Sequence, residues 1–519
     1  MLRNYLTIAL RTLRKHKGHT VINIVGLALG LAACLLIALY VRHEVSYDEF
    51  HERSDRIFQV LNVMREDDPM AVTPLPLGEA LRADFPQIER LVRLTERTGV
   101  AKVDGASFET EVLYAGKAFF DMFSFPLVQG DPATALDAPD ALVLTTEKAR
   151  MLFGTTDVVG RRLAVQLEGT FREFTVSGVA EPAPSNSSIP LGVVVPFAKL
   201  EQVDDTFANP NWGTLSPLVF VQLPSADAAD DLATQFPDFV QRHVPEGNAE
   251  HTMFELLPVT DVHLTPGIYG QLVPPSRPLY AYILGGIAAF ILLIACINFI
   301  TLASGRSAQR AREIGVRKTM GADRGQIMRQ FWGEALLLCG AALVLGIGLA
   351  RAALPVFNGL VGKELTAGAL LHPEMGLVLL GLLIVVGLVA GGYPAVVLSR
   401  FRPVAVLRGG PQRGGSPRLV QGLVVVQFVL SIALIVGTLA MWQQLDYVQS
   451  KELGFDQEHV VQVDARLARS EIGPLLERVR QVPQSAVSVQ HVTATWGEIA
   501  VEGALPNRFP TTSDGDEIR

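Results

Sequence analysis

The sequence predicts an α-helical membrane protein with about five transmembrane helices and a large mixed α/β domain outside the cytoplasm. Three observations support this prediction. The chain contains long apolar runs, a polar stretch from His43 to Arg277 follows the first of them, and basic residues concentrate beside the runs. Charged residues make up only 18% of the 519 residues, which is low for a soluble protein of this length.

Residues 1–19 form the first element and predict a cytoplasmic amphipathic helix. Apolar residues recur at helical spacing, and arginines and lysines occupy the other faces, as in helices that lie at the membrane interface. The alternative is the charged start of a signal peptide, but the next apolar run is too long for one. We place the first transmembrane helix at residues 20–42, where Gly26 and Gly30 have the spacing of a helix-packing face.

Residues 43–277 predict one periplasmic domain, because the basic N-terminus should stay in the cytoplasm. β-Branched and alternating runs predict strands, shorter amphipathic runs predict helices, and Pro-rich or Ser-rich runs predict loops. The predicted strands are Ala141–Thr145, Arg162–Leu167, Phe174–Val179 and Leu218–Leu223; the helices are Pro76–Asp84 and Thr146–Phe153; the loops are Glu181–Ser188 and Pro245–Asn248. We interpret the glycosylation-type sequence at Asn186 as coincidence.

Residues 278–400 predict three further transmembrane helices, with a cytoplasmic loop at 304–330 between the first and second of them. These helices are predicted at Leu279–Ala303, at about Ala335–Ala350 with Arg351 at the outer interface, and at Met375–Leu398. Gly391, Gly392 and Pro394 predict a bend near the inner end of the last one.

The remaining chain predicts a cytoplasmic basic loop at 401–418, a fifth transmembrane helix at 419–442 and a polar segment at 443–519. YVRHEVSYDEFHERSDRIFQV follows the first apolar run, and QQLDYVQSKELGFDQEHVVQV follows the fifth. We interpret the second stretch as the start of another periplasmic domain, which is incomplete. The sequence is then a natural short form, the product of a broken gene or part of a longer protein.

The sequence lacks the motifs that are typical of several classes of enzyme and nucleotide-binding protein. No Walker A pattern, HExxH, GxSxG or serine–lysine motif occurs, so no cofactor site and no catalytic residue is predicted. Cys34, Cys296 and Cys339 fall within apolar runs, where thiols are usually inert. The apolar runs carry no central acidic residue, which argues against an ion-coupled carrier, and no continuous basic face favours nucleic acid.

A loose group of histidines in the periplasmic domain is the one candidate metal site. His243, His251 and His263 lie near several glutamates, but their spacing fits no known ligand set. We therefore interpret them as solvated loop residues and predict no metal. Asn298 and Gln427 are predicted to make hydrogen bonds between helices.

The segment from Arg306 to Glu334 is the strongest functional candidate. It is basic, it lies between two apolar runs, and it predicts a helix that stops at Met320-Gly321, followed by a second helix capped by Asp323 and Gln326. One interpretation is that its charges only fix topology and bind anionic lipid. The apolar Ile314, Val316 and Met320 beside the charges instead favour a docking helix for a cytoplasmic partner.

Longer stretches of the chain resemble a known family. REIGVRKTMGA, followed by QIMRQFWGEALLL, is similar to the signature of the MacB/FtsX-like permeases of ABC transporters. AGKAFFDMFSFPLVQGDPATAL, DALVLTTEKARMLFGTTDVVGRRL and FTVSGVAEPAPSNSSI resemble that family's periplasmic core domain, and NYLTIALRTLRKHKGHTVINIVGLALGLA resembles its opening.

The resemblance implies a permease subunit of the bacterial inner membrane that is not itself an enzyme. Residues 278–400 would be an FtsX-like permease domain, and 43–277 a MacB-like core domain. ATP would be bound by a separate cytoplasmic ATPase, and a second permease copy and a periplasmic adaptor are further expected partners. The family's coupling role, together with the apolar and basic neighbours noted above, assigns the ATPase-coupling loop to Arg310, Glu313, Ile314, Gly315, Val316, Arg317, Lys318, Met320, Gly321 and Ala322.

Two functions remain open at this stage. The first is export or mechanotransmission, in which ATP hydrolysis by the partner moves the periplasmic domains. The sequence does not distinguish drugs, peptides, toxins and lipoproteins as the exported molecule. The second is a membrane signalling or scaffold protein that regulates a cell-envelope enzyme or senses a ligand. A membrane-tethered hydrolase would need a catalytic constellation that the sequence does not show.

Overall fold

The computed structural model describes residues 17–64, 68–103, 105–167, 170–305, 318–371, 373–399 and 417–451, together with residues 316, 474 and 478. Most of the predicted interfacial helix at 1–19, most of the basic loop at 401–418 and most of the segment at 443–519 therefore lie outside the described residues. So do Arg310, Glu313, Ile314, Gly315 and Arg317 of the predicted coupling loop. Residues 443–450 continue the last long helix, which is longer than the predicted 419–442.

Long helices and a polar domain make up the described structure. The helices are α1 Lys17–Val45, α2 Leu77–Asp84, α3 Phe119–Met122, α4 Thr146–Phe153, α5 Phe197–Val203, α6 Asp205–Ala208, α7 Ala228–Ala233, α8 Phe236–His243, α9 Glu246–Ala249, α10 Pro278–Gly305, α11 Arg324–Val361, α12 Pro373–Ser399 and α13 Pro417–Ser450. Short 3-10 helices lie at Ser54–Arg56, Val259–Asp261 and Ala367–Leu371.

The polar domain, residues 46–277, is built on one mixed twelve-stranded sheet. Its strands are β1 Ile57–Val63, β2 Pro69–Met70, β3 Val72–Pro74, β4 Arg90–Val103, β5 Ala106–Ala115, β6 Leu127–Gln129, β7 Ala141–Thr145, β8 Arg162–Leu167, β9 Thr170–Ala180, β10 Val193–Pro196, β11 Leu215–Gln222 and β12 Met253–Pro258. The main order is β12-β1-β11-β4-β5-β10-β7-β9-β6. β10 runs parallel to β5 and β7 parallel to β9, while the other pairs are antiparallel.

Buried side chains cover both faces of this sheet. One face packs against a phenylalanine-rich segment around α3, including Phe119 and Phe123, and the other against α8 through Phe236 and Phe239. β1 and β7 are buried along their whole length and read as nearly continuous apolar runs, whereas β8 and part of β9 alternate between buried and more exposed residues.

Most local predictions for this domain are confirmed. The strands at 141–145 and 162–167 and the helix at 146–153 have the predicted bounds, because strong turn and cap signals flank them; for instance, Thr145 Oγ1 accepts the N–H of Lys148 at the start of α4. The predicted loop at 245–248 is wrong. Pro245 starts the short helix α9, and its carbonyl accepts the N–H groups of Asn248 and Ala249.

Four of the long helices, α1, α10, α11 and α13, are long and apolar enough to cross a membrane, and the described apolar stretch of α12 is Met375–Val389. The chain is therefore a membrane protein. The predicted third span at 335–350 is too short: α11 continues through Arg351 to Val361, because hydropathy falls at this arginine although the helical bonds do not end there.

Glycines mediate the packing of the long helices. A methyl group on Gly30 would lie 2.8 Å from Ala295 Cβ in α10, and one on Gly26 would lie 3.3 Å from Asn298 Nδ2. The predicted packing face of α1 is thus confirmed. Gly391 of α12 is also a packing position, since a Cβ there would lie 2.7 Å from Ala335 Cβ in α11; whether α12 bends there stays a prediction.

Candidate functional site

The basic turn, which we define as Val316 and residues 318–326, begins the candidate site. Gly321 has a φ of +97°, a conformation that glycine adopts without strain, and its N–H donates to the carbonyl of Lys318 at 3.1 Å. Asp323 Oδ1 then accepts the N–H of Gln326 at 2.7 Å. The predicted stop and N-cap are both confirmed, and they fix the direction in which α11 starts.

The turn presents apolar and basic groups together. Met320 is 82% exposed and Val316 41% exposed, although both are large and apolar. Burial and the nearby charge of Arg324 lower the pKa of Lys318. Val316, Lys318, Met320, Gly321 and Ala322 are the predicted coupling residues that the structure describes, and their coupling role stays a prediction.

α11 leads from this turn to the polar domain. Its 38 residues correspond to about 57 Å, against a hydrocarbon core of about 30 Å. The helix ends at Gly362, whose positive φ of 64° allows its N–H to donate to Asn358 O at 2.9 Å. The Asn358 amide also donates to the carbonyl of Leu365 at 2.9 Å, which fixes the loop that carries Lys363.

Lys363 enters a second candidate region, the polar joint, which we define as His43, Glu44, Tyr47, His263 and Lys363. The Lys363 ammonium lies 3.0 Å from Glu44 Oε1 and donates to the Tyr47 hydroxyl at 2.9 Å. His263 Nε2 lies 3.2 Å from Glu44 Oε2, and the rings of His263 and Tyr47 stack at 3.4 Å. The joint thus connects the end of α1, the segment before α10 and the loop after α11.

The joint excludes most of the solvent. The Glu44 side chain is 3% exposed and that of Lys363 23%. Burial alone would lower the pKa of Lys363, but the hydrogen bonds and charges of Tyr47 and Glu44 outweigh it, so the pKa is raised and the ammonium stays charged. Glu44 is therefore a buried carboxylate with a permanent positive partner.

A second layer of contacts attaches α1 to the polar domain. Asp48 adopts a φ of +58°, which aspartate tolerates better than most residues, and its Oδ1 accepts the N–H of Ser188 at 2.9 Å. The Asn186 amide donates to the carbonyl of Ser46 at 2.7 Å. The glycosylation-type sequence at Asn186 therefore has a structural role in the folded chain.

Two titratable groups of this layer have shifted pKa values. Burial raises the pKa of Asp48 to about 6, against the hydrogen bonds from Ser188 that lower it. Burial lowers the pKa of His51 to about 4. His51 Nδ1 accepts the N–H of Ser124 at 3.1 Å, so the neutral ring carries its proton on Nε2.

The predicted group of histidines does not form a shared site. His243 Nε2 bonds to Asp84 at 2.9 Å, His263 lies in the polar joint, and His251 is exposed. The interpretation of His263 as a solvated loop residue is wrong, because it is 3% exposed. Among the residues that the structure describes, no three histidine, cysteine, aspartate or glutamate side chains are placed to hold a metal ion.

Sequence reasoning missed the polar joint altogether. The available signal was the ionisable pair His43-Glu44 in the last turn of an apolar helix, where charges are costly unless they are paired. Lys363 was noted only as a member of a short loop. Its partner lies 319 positions earlier (363 − 44), and no periodicity in one sequence reports such a pairing.

A polar domain inserted after the first apolar helix, a helical bundle packed through glycines and an exposed basic turn together define a multi-helix membrane permease. Residues 20–239 match the family model of the MacB-like periplasmic core domain, and residues 285–403 match that of the FtsX-like permease C-terminal domain. The chain belongs to the MacB/FtsX-like family of ABC transporter permeases.

Individual relatives cover different shares of the chain. The ABC transporter permease YvrN of Bacillus subtilis is 22% identical over 440 residues, which are 78% of this chain and 99% of YvrN. The macrolide export ATP-binding/permease protein MacB of Bdellovibrio bacteriovorus is 25% identical over 51% of this chain, which spans only 38% of that protein. The periplasmic region of MacB from Actinobacillus actinomycetemcomitans is 15% identical with a TM-score of 0.29, covering 40% of this chain and 90% of that region.

Proposed function

We propose that the chain is the membrane subunit of an ABC exporter or mechanotransmission complex, which couples ATP hydrolysis by a separate ATPase to movement of the polar domain. The basic turn faces the cytoplasm of a bacterial inner membrane and docks on the ATPase. The polar domain lies in the periplasm. Positive charges at the turn end of the bundle support this orientation, because basic loops are retained in the cytoplasm.

One observation carries the proposal: the continuous helix α11 begins at the exposed basic turn and ends at the polar joint. A partner that moves Met320 moves the start of this helix. Because the capped helix is stiff, the displacement reaches Lys363 and, through Glu44, the base of the polar domain. This route needs no charged path through the bundle, which fits its apolar helices.

The relatives' printed names support the ATPase partnership. MacB of Bdellovibrio bacteriovorus and PvdT of Pseudomonas aeruginosa are named ATP-binding/permease proteins for the export of macrolide and pyoverdine, respectively. By analogy this chain exports a molecule that the polar domain meets, or transmits force to a periplasmic component. The ATPase activity then resides in the partner subunit.

The test is a substitution on the exposed surface of the turn. Met320→Glu changes a side chain that is 82% exposed, so folding should persist while docking is lost. Met151→Glu is the matched control, because Met151 is a 50% exposed helical methionine of the polar domain. The tagged chain is purified in mild detergent, and bound ABC ATPase is quantified by mass spectrometry and by its ATP hydrolysis.

We expect the wild type and Met151→Glu to retain the ATPase and Met320→Glu to bind at least about tenfold less, a loss of about 1.4 kcal/mol. Equal retention by both variants would contradict docking at this turn. A folded wild-type chain that binds no ABC ATPase would instead favour the signalling or scaffold function.

A further inference from the structure

The Glu44 carboxylate meets cationic or titratable groups from three separate segments. His43 Nδ1 from α1 itself lies 3.7 Å from Oε1, His263 from the segment before α10 lies 3.2 Å from Oε2, and Lys363 from the loop after α11 lies 3.0 Å from Oε1. Ser276 contributes a further side-chain hydrogen bond to Glu44. Glu44 therefore contacts both the segment before α10 and the loop after α11 from the end of α1.

The three side chains that face Glu44, from Lys363, His43 and His263, differ in whether they always carry a positive charge. Lys363 stays protonated, whereas His43 and His263 carry charge only when protonated. In the native joint, Lys363 is thus the permanent charge partner of Glu44, and His43 and His263 contribute ring nitrogens to the same site.

Other titratable groups surround this pair. Tyr40 of α1 interacts with both Glu44 and Lys363, Tyr47 interacts with Lys363, and Asp48 interacts with His263. His43 also bonds to Ser185 of the polar domain through Nε2, at 3.1 Å. Together with His263 and Lys363, these are the groups that face Glu44 from the elements packed against it.

Lys363 has the position of a releasable contact. Its side chain is 23% exposed, so the ammonium has a path to water, whereas the Glu44 side chain is 3% exposed and lies in the last turn of α1. The lysine moves with the end of α11 because Gly362 and Asn358 fix the start of its loop. The pair is consequently the charged contact that joins α11 to the base of the polar domain.

We propose that the Lys363–Glu44 ion pair is a charge-dependent latch that makes the polar domain follow α11, with Lys363 as the positioning residue. The use of the latch during ATP hydrolysis rests on the proposed function. The existence of the latch in the chain without its ATPase does not rest on that function. The existence of the latch and its use during ATP hydrolysis are therefore tested separately.

The first test uses the full chain alone in lipid nanodiscs. Hydrogen exchange, expressed as protection factors to correct for pH, is followed in residues 43–51 and 362–366. The variants are Lys363→Met, Glu44→Gln and the double variant. Glu364→Gln, at the exposed neighbouring position, is the control.

We expect Lys363→Met to lower protection in both segments about tenfold at pH 8, because Glu44 is left buried without its permanent partner. A further variant, Lys363→Arg, keeps the positive charge and should retain most of the protection. The double variant should lie closer to the wild type than Lys363→Met does, and Glu364→Gln should equal the wild type.

Two results overturn the latch. The first is unchanged protection in Lys363→Met, which would show that the ion pair holds nothing together. The second is a loss in Lys363→Arg as large as that in Lys363→Met, which would show a packing role for the lysine stem and not a role for its charge.

The second test adds the ATPase and compares ATP-bound with nucleotide-free complexes. We expect ATP to change protection in residues 43–51 of the wild type by at least threefold, and not in Lys363→Met, although both chains retain the ATPase. An equal ATP response in both would overturn the coupling role of Lys363. Loss of the ATPase from the wild type would contradict the proposed function and leave the first test's result standing.

Discussion

The first and last of the long helices differ in packing although they are alike in composition. Both α1 and α13 are apolar, long enough to cross a membrane and followed by related polar stretches. In α1, 44% of the most apolar window is buried, whereas none of the corresponding window of α13 is buried in the described structure. Hydropathy therefore predicts which helices enter a membrane but not which faces pack, because lipid and protein interior are equally apolar.

The glycines of the helices show the same difference at single positions. Gly30 allows α10 to approach α1 on one side, and Gly346 of α11 lies within 3.1 Å of the Ala28 carbonyl, measured from the position of an added Cβ. In α13, a Cβ added to Gly422 or Gly437 would meet no atom within 4 Å. Glycine thus allows a neighbouring helix to approach α1 closely, whereas these two glycines of α13 make no close contact in the described structure.

The largest expected effect comes from filling one of these contacts. Gly30→Leu would force α1 away from Ala295 and should destabilise the bundle by about 4 kcal/mol, whereas Gly437→Leu should change stability by less than about 0.5 kcal/mol. Unfolding of both variants by sodium dodecyl sulfate in mixed micelles measures the contrast. Equal effects would show that the packing difference between α1 and α13 is not real.

A second contrast lies in the residues that follow each helix. With Gln59 and Gln462 aligned, His51 corresponds to Gly454. Burial keeps the folded pKa of His51 near 4, below its ordinary 6.5, so its neutral form stabilises the fold above pH 6.5 and this stability is lost as pH falls towards 4. We expect His51 to contribute a loss on the order of 3 kcal/mol to the free energy of unfolding over this range, while Asp48, whose raised pKa of about 6 acts in the opposite direction, offsets part of it.

His51→Asn tests this assignment, because its amide oxygen replaces Nδ1 as the acceptor for the Ser124 N–H but does not titrate. As pH falls from 6.5 to 4 in urea unfolding of the full chain, the free energy of unfolding of the variant should rise by about 3 kcal/mol relative to that of the wild type. A difference between the two chains that stays constant over this range would assign the pH dependence to other groups.

The smallest of these effects concerns the backbone after α1. Asp48→Ala removes the acceptor for the Ser188 N–H and places alanine at a φ of +58°, so it should destabilise the polar domain by about 2 kcal/mol. Asp48→Asn keeps an acceptor and tolerates the conformation, so it should retain most of the stability at pH 7. Urea unfolding of both full-length variants compares them, and identical midpoints would exclude a role for this contact.

Local signals explain how much of the structure was predictable. The turn at Gly321, the cap at Asp323 and the helix at 146–153 were predicted correctly because glycine conformation and side-chain capping depend on a few neighbouring residues. The length of α11 was underestimated because Arg351 interrupts the apolar run without interrupting the helix. Helix propensity and position in the membrane are separate properties. The prediction used the end of the apolar run as the end of the helix and so treated the two as one.

The polar joint could not be predicted for a different reason. Glu44, His263 and Lys363 are separated by about a hundred residues or more and belong to no common motif. Each is unremarkable in its own segment: a helix-end acid, a loop histidine and a loop lysine. Their meeting depends on how α1, α10 and α11 pack, and that packing depends on glycine contacts which hydropathy does not report.

The length of α11 also determines how far its far end moves when its first turn tilts. From Arg324 to Leu354, before Pro355 removes a helical hydrogen bond, the helix is about 46 Å long, and a tilt of about 5° about its first turn would carry its far end about 4 Å sideways. That displacement exceeds the 3.0 Å between Lys363 and Glu44. A very small rotation of the basic turn is therefore enough either to drag the polar domain along or to open the ion pair, depending on which of the two resists less.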